Sequence, residues 1–149
     1  SYYYETRKTT QAAAWHQATR EWWKEYRKHY QLVSSTFVID ELTQGKHPHQ
    51  HEKINFIQQE EIELLEYVPA IQEIAEKYIT NYVMPNEHGG DAFHLAYASY
   101  YDIDFLLTWN CVNIANPNKF VHIQVINRTL GLNVPYLCTP YELLKPKEV

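Results

Sequence analysis

Two positions of this sequence, an acid and an amide, are placed where a parallel sheet would bring them to a common cleft. Asp91 follows the Gly89-Gly90 turn and opens a stretch whose small and apolar residues recur at helical spacing. Asn110 follows residues 105–108, a short apolar run typical of a strand buried on both faces. In open α/β sheets, ligands bind in the crevice outside the carboxyl ends of the strands. We therefore expect the helix start and the strand end to face one cleft.

A second pair of acids, Asp40 and Glu41, lies in a predicted helix over residues 37–42. Adjacent helix positions point about 100° apart, so only one of the two can face a cleft squarely. The spacing alone leaves open which one does.

The elements that must position these residues alternate between helix and strand. We predict helices over residues 11–28, 37–42, 53–59 and 69–82, from Asp91 to a break at 102–104, and from Asn116-Pro117 to Gly131; the strands are 31–34, 62–67, 105–108 and 134–138. This alternation predicts an α/β fold with a parallel sheet covered on both sides by helices.

Apolar stripes indicate which helix faces are buried. The helix over 69–82 is the clearest, because Pro69 suits a first helical position and Ile71, Tyr78 and Tyr82 recur at helical spacing. The inner stripe of the helix after Asn116 is predicted to be Phe120, Ile123, Ile126, Asn127 and Leu130.

The first helix carries four large aromatic side chains on one broad face, Trp15, Trp22, Trp23 and Tyr26. We interpret them as core, with the neighbouring basic side chains solvated. The alternative is an aromatic and basic patch that binds a partner or RNA.

Composition sets broad limits on the protein class. The 149 residues suit one domain. No apolar run approaches the roughly 18 residues of a membrane span, and no secretory leader is recognisable. The two cysteines form no zinc pattern, so we expect a reduced, cytoplasmic setting. A net charge of −5 argues against a protein that only coats nucleic acid, but not against a nuclease whose carboxylates bind metal.

A histidine-containing loop over residues 45–51 carries His47, His49 and His51 at alternating positions. Alternating histidines suggest a metal site. Pro48 and the flanking residues instead favour an exposed polar loop, which is the interpretation we adopt.

Several motifs, together with their order along the chain, resemble those of a known family. Gly-Asp-Ala-x-His-Leu-Ala at 90–96 and Asp-Phe-Leu-Leu-Thr-Trp-Asn-Cys-x-x-Ile-Ala-Asn at 104–116 are similar to the C-terminal half of a PIN domain. The likeness includes Arg-Glu-Trp-Trp at 20–23, Ser-Thr-Phe-Val-Ile-Asp-Glu-Leu at 35–42 and Cys-Thr-Pro-Tyr-Glu-Leu-Leu at 138–144. It covers nearly the whole chain and is nearest to the toxins of bacterial type II toxin–antitoxin systems.

The resemblance implies a fold, an activity and partners. The fold would be a PIN-like three-layer α/β/α domain with a central, mainly parallel sheet, spanning residues 1–149. The activity would be metal-dependent endoribonuclease cleavage of RNA phosphodiesters. The partners would be an RNA substrate, a cognate antitoxin and a second copy of the chain in a homodimer, with no membrane.

The resemblance also assigns residues to the site. It selects Glu41 over Asp40 and implies Glu41 and Asp91 as ligands of Mg²⁺ or Mn²⁺, with Asn110 as a third catalytic position. One hydrated cation bridging two carboxylates would hold them within about 8 Å of each other. His94, one turn after Asp91, is expected to pack in the core or to bond Asp91 rather than to bind metal.

Two departures from the family pattern bear on activity. Many PIN domains have an acid where this chain has Asn110, and an amide brings no charge. PIN domains also open with a buried strand ending in an acid. Either Glu5 is that acid, or the chain begins after the strand; the polar residues that follow Tyr4 favour the second interpretation. The rival functions are a non-catalytic PIN fold that binds RNA or protein, and a small-molecule phosphohydrolase.

Overall fold

The computed structural model describes Tyr3, Glu5 and residues 7–46, 48–86 and 90–144. These residues form six α-helices and two pairs of parallel strands. The predicted α/β class and parallel pairing are confirmed. The chain divides into two compact units, Ser1–Leu65 with Pro140–Val149, and Glu66–Thr139. Each unit holds one two-stranded sheet, and the expected arrangement of three layers around one central sheet stays a prediction.

The first unit contains three helices and the first pair of strands. Its elements are α1 (Thr10–Glu25), β1 (Val33–Ser35), α2 (Thr36–Gln44), α3 (Gln50–Gln59) and β2 (Glu63–Leu65), with 3-10 turns at Arg27–His29 and Pro140–Leu143. β1 pairs with β2 in the register Val33 to Glu63 and Ser35 to Leu65. The last 3-10 turn packs against α1.

The second unit contains the other three helices and the second pair of strands. Its elements are α4 (Pro69–Thr80), α5 (Gly90–Tyr100), β3 (Phe105–Leu107), α6 (Pro117–Thr129) and β4 (Tyr136–Cys138). β3 pairs with β4 in the register Phe105 to Tyr136 and Leu107 to Cys138. α4 packs against both α5 and α6.

Side-chain caps explain why several helices start where they do. The hydroxyls of Thr9 and Ser35 accept hydrogen bonds from backbone N–H groups in the first turns of α1 and α2, and Asn116 does the same for α6. After α6, Gly131 adopts φ +71°, a conformation that glycine adopts without steric cost. The predicted position of the glycine after α6 is confirmed.

Three burial predictions in the second unit are wrong. β3 is not buried on both faces, because Phe105 is 39% exposed and its ring meets that of Tyr136 at the sheet surface. Phe120 is 40% exposed and lies outside the inner stripe of α6, whereas Ile123 is buried. Tyr82 is 91% exposed, because α4 ends at Thr80 and Tyr82 turns out of helical geometry with φ 59°.

The aromatic face of α1 is only partly core. Trp22 is buried, whereas Trp23 is half-buried and its ring contacts those of Tyr3 and Phe56. The Arg27 guanidinium lies 4.4 Å from the centroid of the Trp23 ring. The core interpretation therefore holds for Trp22, and the side chains around Trp23 combine aromatic and basic character.

None of the helices among the described residues is long and apolar enough to span a membrane.

The predicted histidine loop is shorter than expected. Helix α3 begins at Gln50, so His51 belongs to α3, and Pro48 in the loop before it is exposed. His47 lies outside the described residues.

A buried polar network fixes the packing of α4 on α5 and α6. The Tyr78 hydroxyl donates to Asn127 Oδ1 at 2.6 Å and lies 3.0 Å from Ser99 Oγ. Asn127 Nδ2 donates to Ser99 Oγ at 3.1 Å and to the backbone oxygen of Asn133 at 2.9 Å. Burial raises the pKa of Tyr78 from its ordinary 10.0 to about 12, although the bonds to Ser99 and Asn127 oppose the shift.

We predict that Tyr78→Phe lowers the free energy of unfolding by about 1–3 kcal/mol at pH 8, since buried partners lose a hydrogen bond. The folded pKa of Tyr78 lies above its unfolded value, so its contribution is complete below pH 10 and is lost as the pH rises towards 12. The difference in the free energy of unfolding between wild type and Tyr78→Phe, measured with urea, should therefore be smaller at pH 11 than at pH 8.

Tyr67→Phe is the matched control, because Tyr67 is 51% exposed in the same unit. It should leave the unfolding free energy close to wild type at both pH values. A Tyr78→Phe gap of the same size at pH 8 and pH 11 would contradict the prediction.

Candidate functional site

Asp91 lies in the first turn of α5 and is half-buried. An acid suits this position, because the amino end of a helix carries partial positive charge. Ala92 and Leu95 on the same helix are fully buried and anchor its first turns in the core of the second unit. The sequence prediction that Asp91 opens a helix is confirmed to within one residue. Gly89 lies outside the described residues.

Two side-chain amides hold the Asp91 carboxylate. Asn110 Nδ2 donates to Asp91 Oδ1 at 2.9 Å, and Asn113 Nδ2 donates to Asp91 Oδ2 at 2.7 Å. Each oxygen of the carboxylate therefore accepts one side-chain N–H. Hydrogen bonds to an ionised acceptor are stronger than neutral ones, so this pair fixes the orientation of the carboxylate plane.

Each of these amides is fixed in one orientation by a group that can only donate a hydrogen bond. Asn110 Oδ1 accepts from the Asn113 backbone N–H at 2.9 Å. Asn113 Oδ1 accepts from Lys119 Nζ at 3.1 Å. Because a backbone N–H and an ammonium offer no lone pair, each must face the amide oxygen. Both NH₂ groups are thereby left to face Asp91.

The loop between β3 and α6 places the two amides by folding tightly on itself. The Asn110 N–H donates to Thr108 Oγ1 at 3.0 Å, and the Asn110 carbonyl accepts from Ala115 N at 2.8 Å. Asn116 Nδ2 donates to the Val112 carbonyl at 2.8 Å, and Asn116 then caps α6. A loop with its backbone groups satisfied in this way holds its side chains in defined positions.

Lys119, in the first turn of α6, completes the cluster. Its ammonium donates to the Val83 carbonyl at 2.8 Å as well as to Asn113. Val83 is buried just after α4. We call these four side chains the Asp91 cluster: Asp91, Asn110, Asn113 and Lys119. The cluster connects α5, the loop after β3 and α6, and it contacts the segment that follows α4.

The structure brings together some of the predicted site residues. Asp91 and Asn110, a helix start and the end of a strand, are in direct contact as expected. Glu41 is half-buried on α2 in the first unit, and its predicted proximity to Asp91 stays a prediction. Glu5 is bonded to Arg7, whose backbone N–H and guanidinium donate to its carboxylate at 2.8 Å.

Sequence reasoning missed two members of the cluster, Asn113 and Lys119. A usable signal was present, because asparagine recurs at every third position from Asn110 through Asn113 to Asn116. Side chains of this type bond nearby backbone groups in turns and at helix caps. Lys119 gave a weaker signal. It lies in the first turn of a helix that begins with Pro117, where a cation is electrostatically disfavoured.

The cluster offers a cation one negatively charged group, the Asp91 carboxylate, beside two neutral amides and the positively charged Lys119. Among the described residues, no three His, Cys, Asp or Glu side chains come together as a possible metal site. Ionised carboxylate oxygens have about four lone-pair sites between them, and the two amides occupy one on each oxygen. The Asp91 carboxylate can therefore still accept a cation. Mg²⁺ is often bound by one or two carboxylates together with water and substrate phosphate.

Comparison with known proteins gives no relative to set beside this site: no protein-family model, curated protein or solved structure matches the chain. The relation to PIN domains rests on the motifs and their order, and is therefore a proposal.

We predict that Asp91→Asn lowers the free energy of unfolding by about 1–3 kcal/mol, because a neutral amide cannot accept from both Asn110 and Asn113. Its own NH₂ group would face the NH₂ group of one neighbour. Urea unfolding at pH 7 measures the effect. Asp104→Asn is the control, since Asp104 is exposed in the same unit. Equal stability of the two variants would contradict the described bonds.

Proposed function

We propose that this chain is a PIN-like α/β/α protein that acts as a metal-dependent endoribonuclease of the toxin type. The observation that carries the proposal is the contact between Asp91 and Asn110, at 2.9 Å. The resemblance assigns both positions to one site, and they meet at a helix start and a strand end. The order of the motifs and the parallel pairing of β1 with β2 and of β3 with β4 also support it.

The Asp91 carboxylate can accept a divalent cation, and the resemblance adds Glu41 as a second ligand. When bound, Mg²⁺ or Mn²⁺ lowers the pKa of a coordinated water and offsets negative charge on a phosphodiester. The work of the protein side chains is orientation. Asn110 and Asn113 fix the Asp91 carboxylate, so that it need not reorganise when a cation arrives.

The proposed substrate is RNA, and the proposed partners are a cognate antitoxin protein and a second copy of the chain. The net charge of −5 means that the whole surface would not attract RNA. Substrate contact would therefore be local and assisted by the cation. An antitoxin would be expected to cover the same site.

A second candidate function is the binding of RNA or protein without catalysis. The hydrogen bonds that the Asn110 side chain already makes favour it. Its Nδ2 donates to Asp91, and its Oδ1 accepts from the Asn113 backbone. Position 110 therefore offers a cation no charge, and its side-chain oxygen already accepts one hydrogen bond. In a protein of this kind the Asp91 cluster would be structural, and RNA or protein would bind without being cleaved.

Cleavage of a mixed-sequence RNA with Mg²⁺ or Mn²⁺ separates the two functions. We expect cleavage that a chelator abolishes and that falls below detection in Asp91→Asn and Glu41→Gln. Asp40→Asn is the control, because Asp40 is exposed beside Glu41 on α2 and should retain activity. RNA binding without cleavage at any cation concentration would favour the second function. Equal loss in Asp40→Asn and Glu41→Gln would overturn the assignment of Glu41.

We predict that Asn110→Asp destabilises the metal-free protein by about 1–3 kcal/mol, since it replaces a donor to Asp91 with a second negative charge. A divalent cation should offset that repulsion. The melting temperature should therefore fall without metal and rise further with Mn²⁺ than it does in wild type. Calorimetry should show tighter Mn²⁺ binding. An unchanged Mn²⁺ affinity would indicate that the proposed cation does not bind beside Asn110.

A further inference from the structure

Lys119 lies where helix electrostatics disfavour a cation. It is the third residue of α6, after Pro117 and Asn118, in a first turn that contains no acid. The amino end of a helix carries partial positive charge, so a lysine there destabilises the helix. A local preference that a sequence violates often marks a functional position. The contacts of Lys119 identify what offsets the unfavourable placement.

The ammonium of Lys119 is half-buried and directed inward. It donates to the Val83 carbonyl at 2.8 Å and to Asn113 Oδ1 at 3.1 Å. Val83 is 1% exposed, so the ammonium bonds a residue that is buried in the second unit. The bond to Val83 fixes the ammonium, and the fixed ammonium then fixes Asn113.

The identity of the donor decides how Asn113 faces Asp91. An asparagine amide presents an oxygen on one side and an NH₂ group on the other, and the two differ by a half-turn about the last side-chain bond. Because Lys119 has no acceptor, the oxygen must face Lys119 and the NH₂ group must face Asp91 Oδ2. Without the ammonium, only the attraction between the carboxylate and the NH₂ group would keep that group directed at Asp91.

We propose that Lys119 is a positioning residue for the Asp91 site. Its ammonium holds Asn113 in the orientation that donates to Asp91, and so sets the geometry in which the carboxylate meets a cation. The link to cation binding rests on the proposed function. The link from Lys119 to Asn113 does not.

The variant Lys119→Met removes the charge and all three donors and shortens the side chain by only one atom. Partners behind a metal ligand typically contribute 10- to 100-fold to metal affinity. We expect Lys119→Met to weaken Mn²⁺ binding, measured by calorimetry, by about 10-fold or more. Lys119→Arg, which keeps charge and donors, should restore most of the affinity. Lys77→Met is the control, since Lys77 is exposed on α4 in the same unit.

A double-mutant cycle with Asn113→Ala tests whether Lys119 acts through Asn113. If it does, Asn113→Ala alone should weaken Mn²⁺ binding, and adding Lys119→Met should change the affinity by less than about twofold. Equal losses from Lys119→Met in both backgrounds would overturn the proposal, because Lys119 would then act independently of Asn113. Wild-type affinity in Lys119→Met would also overturn it.

A measurement on the metal-free protein separates this proposal from the proposed function. In nuclear magnetic resonance spectra, the Asn113 side-chain amide protons should shift and exchange faster with solvent in Lys119→Met, but not in Lys77→Met. If Lys119→Met does not fold, Lys119→Gln, which removes the charge and one donor and adds an acceptor, carries the same expectation. Unchanged Asn113 signals would overturn the positioning role. Wild-type protein that binds no Mn²⁺, together with shifted Asn113 signals, would overturn the cation site alone.

Discussion

The placement of one carboxylate between two amide donors organises the polar end of the second unit. Asp91 accepts from Asn110 and Asn113, and these residues lie on the loop that leads from β3 to α6. The start of α5 and the loop after β3 meet here, and the two donors from that loop satisfy the one acceptor. Leaving a half-buried carboxylate without partners is costly, so the loop is folded around the acid.

The second unit contains two polar networks that differ in their exposure. Tyr78, Ser99 and Asn127 are buried and bond mainly to one another, which is how a structural network is satisfied. The Asp91 cluster is half-buried, and its carboxylate retains acceptor capacity towards solvent. Closed networks stabilise a core, whereas a partly open one with a fixed anion can receive a cation. This difference in exposure is the physical reason for proposing a cation site at Asp91 rather than at Tyr78.

Much of this arrangement could be predicted from periodicity and cap residues. The helix at Asp91, the strand before Asn110 and the start of α6 at Pro117 all follow from local patterns, because each depends on neighbours in sequence. The exposure of Phe105 and Phe120 could not be predicted, because it depends on which residues of other elements cover them. The role of Lys119 depends on the carbonyl of Val83, which is far from it in sequence. Local patterns predict elements, and only the folded chain reveals which donor meets which acceptor.

The central claim is that Asp91, held by Asn110 and Asn113, binds a divalent cation, and paramagnetic broadening by Mn²⁺ tests it most directly. At substoichiometric Mn²⁺, the side-chain amide signals of Asn110 and Asn113 should broaden first, since both groups lie within 3 Å of the proposed ligand oxygens. Mg²⁺ in excess should reverse the broadening, and Asp91→Asn should prevent it. Sharp Asn110 and Asn113 signals at Mn²⁺ concentrations that broaden other parts of the spectrum would contradict the account.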